Sequence, residues 1–236
     1  MASSDRAATE DTSDTRLGKP GQRLNAQVVK KVRELIMSGT MPGDSRLRTE
    51  HLAEELGVSA TPVREALMAL AGEGMVSFEP GRGFRVLPMS RQDVLDLYDV
   101  QAYLSGELAA RAAVNLTGDD QDRLDEIQDK LVAAVEAGDS VAVEEADFAV
   151  HQLINRAAAA PKLVWLLSLT LRYVPFSMYG HIKGWELAAR DDHALIFRGL
   201  RNRSEQAAAE AMRAHIRNAG IIIANHLSEQ GVITEQ

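Results

Sequence analysis

Cysteine is absent from the 236-residue chain. That excludes disulfides and thiolate metal sites, and it suits a protein of the reducing cytoplasm. No apolar run approaches the roughly 18 residues that would mark a membrane span. The N-terminal stretch carries acids and lacks the apolar centre of a secretory signal. Aromatic residues are few, at 5%, beside 45% hydrophobic and 25% charged residues, the balance of a soluble globular protein. An excess of basic charge is also missing. The net charge of -8 argues against a protein that coats nucleic acid indiscriminately.

What charge there is lies unevenly. Residues 23–88 hold nine Lys/Arg and eight Asp/Glu, whereas residues 89–236 hold 14 against 22. A near-neutral front joined to an acidic back implies two units with separate tasks. Residues 1–22 are small and polar without apolar periodicity and read as a disordered tail. The expected division is therefore a tail (1–22), a front domain (23–88) and a back domain (89–236).

From Asn25, the series Val28, Val32, Ile36 has helical spacing, and Gly39 is a plausible stop. Thr49 is placed to cap a short helix, TEHLAEEL, which Gly57 closes. The chain restarts as GVSATPVREAL, with Ser59 or Thr61 as cap and Pro62 in the first turn. Val63, Leu67 and Leu70 form its buried stripe, leaving Ala60, Thr61, Arg64 and Met68 outside it. MVSFE and GFRVL flank Pro80-Gly81-Arg82-Gly83, a hairpin with a basic tip. Three helices and a hairpin make a winged helix-turn-helix, whose recognition helix enters the major groove by its N-terminal end.

Ser59, Thr61 and Arg64 at that helix start, Arg82 on the wing, and Arg46 and Arg48 ahead of the second helix are the expected DNA contacts. Each has a plainer role open to it: a cap for Ser59 and Thr61, a solvated cation for the arginines.

The back half reads as about six helices with short connections, hence an antiparallel bundle and a mainly α protein. Ser90 with Asp93, and Thr117 with Asp120, resemble capping boxes. Ala137-Gly138-Asp139 separates two helices, Pro161 opens another, and Pro175 kinks or ends it.

Five of the six histidines lie here. Asp147 and His151, four apart, leave one face of a helix, while His193 and His215 sit on the inward stripes of two others. Converging, one carboxylate and three imidazoles would suit a divalent metal. Spacing alone favours the plainer alternative of an Asp–His pair beside two unrelated, partly buried histidines. His51, His181 and His226 read as surface or packing residues. Arg172 and Tyr173 are polar groups in an otherwise apolar helix, placed either to meet a ligand carboxylate or to pack with a snorkelling arginine. Tyr103 and Asn155 are further ligand candidates, Asn155 lying one turn beyond His151.

Both halves resemble one family. The run LAEELGVSATPVREAL is similar to the GntR-type winged-helix domain, and DFAVH, DDHALI and MRAHI are similar to the aspartate and histidine motifs of the FadR-type (FCD) ligand-binding domain. The resemblance covers about residues 23–230. It implies a homodimeric, one-component transcription regulator of the cytoplasm, binding double-stranded operator DNA. It also implies a metal on Asp147, His151, His193 and His215, with a small organic acid as effector, no membrane association and no catalytic role. A nitrogen-rich donor set favours zinc over manganese, with nickel also accommodated. Repression relieved or imposed by the acid is the expected mode of action.

The chain departs from the family pattern at three notable places. Ala60 stands where an arginine usually reads a guanine, Gln101 where an arginine is frequent, and Ser105 where a glutamate is frequent.

Overall fold

The structure, a computed structural model, describes residues 20–174, 182 and 184–234. Residues 1–19 of the expected tail, Pro175 and His181 lie outside the described residues. Helix α1 spans Pro20–Met37 and begins earlier than its apolar periodicity does. Pro20 takes the first helical position, where a missing N–H leaves no bond unmade. Its stripe of Val28, Val32, Ile36 and Met37 is buried against helix α3.

Strand β1 (Arg46–Leu47) precedes α2 (Thr49–Leu56), α3 (Ala60–Gly72) and the hairpin β2 (Val76–Glu79) and β3 (Gly83–Val86). The sheet order is β1-β3-β2, antiparallel throughout, with Leu47 opposite Phe84 and Val76 opposite Val86. Two-residue β1 is too short to show alternation, which is why periodicity does not reveal it. Thr49 is the first residue of α2, not its cap; Arg48 holds the cap position, without a side-chain bond. Gly57, at φ +65°, ends α2 with its N–H on the carbonyls of Ala53 and Glu54. Ser59 precedes α3 in an extended conformation, and the α3 stripe of Val63, Ala66, Leu67 and Leu70 is fully buried. In the wing, Gly83 has φ +91° and a β-carbon there would stand 3.0 Å from the Leu47 carbonyl, so only glycine fits without strain.

The back half is a bundle of α4 (Arg91–Asn115), α5 (Gly118–Ala137), α6 (Ser140–Ala157), α7 (Pro161–Thr170), α8 (Trp185–Arg201) and α9 (Glu205–Glu229). Local chemistry sets most of its corners. Ser90 Oγ accepts from the Asp93 N–H at 3.1 Å while Asp93 Oδ2 accepts from the Ser90 N–H at 2.7 Å. Thr117 and Asp120 repeat the arrangement at 3.1 and 3.2 Å. Gly138 closes α5 in the left-handed region, and Asp139 caps α6 through the Ala142 N–H. Missing side chains then allow close helix approach. A β-carbon on Gly220 of α9 would lie 2.6 Å from the Tyr98 side chain of α4. One on Gly199 of α8 would lie 2.6 Å from the Ala208 nitrogen of α9.

The junction of the two units is held by the chain end and by Glu73. The chain end returns to the linker, where Thr234 O accepts from the Arg91 N–H at 2.8 Å and the Thr234 N–H donates to Met89 O at 3.0 Å. Glu73, just after α3, takes Arg33 of α1 at 2.5 Å and Arg172, beyond α7, at 3.8 Å. The Tyr173 hydroxyl donates to the Glu73 carbonyl.

Gly199→Ala is expected to destabilise the protein by about 1–3 kcal/mol, because the added methyl meets backbone that cannot step aside. Gly118→Ala, which meets nothing within 4 Å, is expected to hold or slightly raise stability. Denaturant midpoints with far-UV circular dichroism compare the two.

Candidate functional site

The front unit carries exposed arginines on α3, on the wing and ahead of α2. Ser59, Ala60, Thr61, Arg64 and Met68 are exposed at the start and outer side of α3, and Arg82 is exposed at the wing tip. Arg46 and Arg48 are exposed where β1 leads into α2. Among the described residues, Arg46, Arg48, Arg64 and Arg82 make no hydrogen bond and no ion pair. Arg85, by contrast, is held by Glu79 at 2.7 Å and lies near Asp44 at 3.9 Å. That hydrogen bond lowers the Glu79 carboxyl below its ordinary range, and it commits Arg85 to bracing the wing. The four unpaired arginines are therefore the ones open to phosphate, and the α3 N-terminus adds unbonded N–H groups among them.

In the bundle, amphipathic packing delivers four donors to one point. On α6, the inward face of Val143, Ala146, Val150 and Ile154 carries Asp147 and His151 inside with it. On α8, His193 lies in the stripe Ala189, Ile196 and Leu200; on α9, His215 lies in the stripe Ala208, Met212 and Ala219. The alanines of α9 leave room around the imidazole. One ligand atom from each of Asp147, His151, His193 and His215 falls within 4.8 Å of all the others. Donors around one ion with bonds of ~2.0–2.2 Å span ~3–4.4 Å, so the cluster is close to ion-binding dimensions.

The individual contacts fit that use. His151 Nε2 and His215 Nε2 stand 3.2 Å apart, and His193 Nε2 stands 3.2 Å from Asp147 Oδ1. The second pair lacks hydrogen-bond geometry, so Asp147 Oδ1 and both nitrogens of His193 are buried without a partner. Orphaned buried polar atoms cost about 1–3 kcal/mol each, and a cation among them would satisfy Asp147 Oδ1 and His193 Nε2 together. His215 Nδ1 faces Asp192 Oδ2 at 3.4 Å, which also accepts from Asn218 at 3.1 Å. This partner turns the Nε2 lone pair of His215 toward the cluster. Asp192 was legible only as the residue before His193; nothing in the sequence says that it serves a different histidine.

Protonation states also suit a cation. Burial alone would raise the Asp147 carboxyl, but the charge of His151 and the nearness of His193 prevail and hold it down to about 2. Burial lowers His151 to about 4, against the opposing pull of Asp147. Near neutrality the pair is thus a carboxylate and a neutral imidazole, the forms that ligate.

The cluster borders a chamber of about 820 Å³ between α4, α6, α7 and α9. Asp147, His151 and His215 form part of one wall; Gln101, Ser105 and Asn155 also line it, with Val164, Leu167 and Trp185 among its apolar surfaces. Gln101 and Ser105 are buried, and Gln101 donates to the Thr170 carbonyl at 3.2 Å. Of the side chains expected near an effector, Asn155 lines this chamber. Tyr103 does not: it is 60% exposed, with Arg213 6.0 Å from its ring. Arg172 is absent from the lining and reaches Glu73 of the front unit, as Tyr173 does. Both lie beyond the end of α7 and not within a helix, and their polarity serves a contact between units. His51 is exposed beside Glu55 at 3.3 Å, and His226 is half-buried near the end of α9.

Comparison with known proteins agrees with this architecture. Residues 24–86 match the model for bacterial regulatory proteins of the gntR family, and residues 96–218 match the FCD domain. The HTH-type transcriptional regulator McbR of Escherichia coli is 34% identical over 116 residues, 49% of this chain and 52% of that protein. The matched stretch thus spans about half of McbR. The HTH-type transcriptional repressor RspR of E. coli is 27% identical over 209 residues, covering 87% of this chain and 90% of its own. The solved structure of E. coli McbR/YncC superposes with a TM-score of 0.61 at 26% identity, over 86% of this chain and 97% of that one. These families and relatives are transcription regulators, not enzymes. The chain belongs to the GntR family of bacterial transcription regulators, in the branch that couples a DNA-binding helix-turn-helix domain to an FCD domain.

Proposed function

We propose that this regulator is a homodimeric, metabolite-responsive repressor whose sensor is a metal centre. The observation that carries the reading is the convergence of Asp147, His151, His193 and His215, with orphaned buried atoms among them, on the wall of a large chamber. The residues would hold a divalent ion, zinc being favoured by three nitrogen donors. When bound, the ion supplies a positive charge and coordination positions for an organic carboxylate entering from the chamber. Asp192 orients His215, and Gln101, Ser105 and Asn155 offer hydrogen bonds to the same guest. The cytoplasm is its place of action.

On the DNA side, Arg64, Arg82, Arg46 and Arg48 would hold phosphates while Ser59 and Thr61 stand at the groove. With Ala60 at the head of α3, the operator would be read with less help from a guanine-seeking side chain. Repression is the mode we propose; the likeness to the repressor RspR is consistent with it, and the likeness to the Glc operon transcriptional activator of E. coli is nearly as extensive. The effector can control occupancy only through unequal affinity for two arrangements of the DNA heads. Contact of Tyr173 and Arg172 with Glu73, at the end of the recognition helix, gives the bundle a grip on that arrangement.

Three outcomes are expected. Replacing His151 and His215 together by alanine should empty purified protein of metal, read by elemental analysis; full stoichiometry in the variant would place the ion elsewhere. Arg64→Ala should weaken binding to every duplex and reduce the slope of log K against log salt by about one unit for each phosphate that the arginine neutralises. An unchanged slope would remove Arg64 from the phosphate contacts.

The third outcome concerns metal-free protein. His151 is held at about 4, below its ordinary 6.5, so below pH 6.5 the unfolded chain takes up this proton more readily than the fold. Stability should fall as the pH is lowered from about 6.5 to about 4, and His151→Gln should flatten that portion of the profile. Denaturant midpoints across the range, with chelator present, decide it.

A further inference from the structure

The chamber narrows the chemistry of its guest. This inference rests on the reading of the site as a metal-anchored carboxylate sensor. Two observations carry it. First, among the described residues the only cationic side chain in the lining is Arg156, which is largely exposed and paired with Asp120 at 3.2 Å. Among the described lining residues, no unpaired cation away from the donor cluster waits for a second anionic group. Second, the α7 side of the lining is largely apolar: Val164, Leu167, Leu171 and Val174 on and just after α7, with Ser168 its polar member, and Trp185 at the start of α8 adds an aromatic surface. At about 820 Å³ the space lies toward the upper end of the ~300–1,000 Å³ typical of pockets that enclose drug-sized ligands.

We infer that the effector is an amphipathic monocarboxylate, an acid with one charged end and a body of medium-chain aliphatic or aryl carbon. Its carboxylate faces the Asp147–His151–His215 wall and its body lies against α7. A dicarboxylate of equal length would leave its far carboxylate against apolar side chains without a partner, which is unfavourable for a charge withdrawn from water. Each methylene added to a monoacid removes more apolar surface from water, and should tighten binding about three- to four-fold until the space is filled. Gln101 and Ser105, both buried and both in the lining, are neutral; they accommodate a hydroxyl or carbonyl on the body and bring no charge to balance a second carboxylate.

Calorimetric titration of the full-length, zinc-loaded protein with paired acids tests this. Hexanoate and octanoate differ by two methylenes; hexanoate and adipate share six carbons but differ by one carboxylate. Octanoate is expected to bind roughly ten-fold more tightly than hexanoate, and adipate at least ten-fold more weakly. Adipate binding as tightly as hexanoate would overturn the inference and leave the carboxylate sensor standing. If acetate, hexanoate, octanoate and adipate all fail to bind, the sensor reading falls and this inference falls with it.

A variant gives a second arm. Leu171 lines the chamber yet is 52% exposed, so a charged replacement is tolerable there. Leu171→Arg should shift the ratio of adipate to hexanoate affinity by about ten-fold toward adipate. An unmoved ratio would show that the far end of the guest does not reach α7, against the placement inferred.

Discussion

The carboxylate of Asp147, withdrawn from water among three imidazoles, is the constraint around which the bundle is arranged. An isolated buried charge is strongly unfavourable, and this one is kept ionised by its neighbours, not by solvent. His151, partly buried on the chamber wall, is likewise hard to protonate. Such a group persists only where three helices hold its partners in register. Here α6, α8 and α9 do so, each by an apolar stripe interrupted at one turn by a polar side chain. The glycines that bring α8 and α4 tight against α9 are part of the same construction, since a slightly wider bundle would separate the donors.

The cluster is connected to the DNA-binding unit through ordinary contacts. Gln101, in the chamber, holds the Thr170 carbonyl at the end of α7. Two and three residues on, Arg172 and Tyr173 meet Glu73, which follows the recognition helix and is also gripped by Arg33. The path from chamber to recognition helix is therefore short and made of side chains with few alternative partners. The chain end adds a separate tie, by pairing Thr234 with the linker at Met89–Arg91. On the function proposed above, a change in the pocket would have to reach the face that meets DNA, and these contacts are where the units can do so.

Much of the fold was legible because its determinants are local. The Ser90–Asp93 and Thr117–Asp120 boxes, the Gly57 and Gly138 stops and the α3 stripe each depend on residues within a turn or two of one another, and the structure has them all. The short strand β1 was not legible, since two residues cannot display a period and their pairing partner Arg85-Phe84 lies far along the chain. The start of α1 was missed for a related reason: Pro20 and its neighbours lack the apolar repeat by which a helix announces itself. Arg172 and Tyr173 were placed beside a ligand on the strength of their polarity in an apolar stretch. Polarity marks a need for a partner without naming it, and the partner was Glu73.

The amino-acid sequence alone determined where most of the helices start and stop, which face of each is apolar, and which motifs mark the GntR and FCD units. These follow from short-range sterics, capping and periodicity. That Asp147, His151, His193 and His215 meet, that Asp192 serves His215 rather than the adjacent His193, and that Tyr103 faces outward were decided only by the tertiary structure. Such facts depend on the relative rotation and depth of helices separated by tens of residues, which packing between side chains sets and no local pattern encodes.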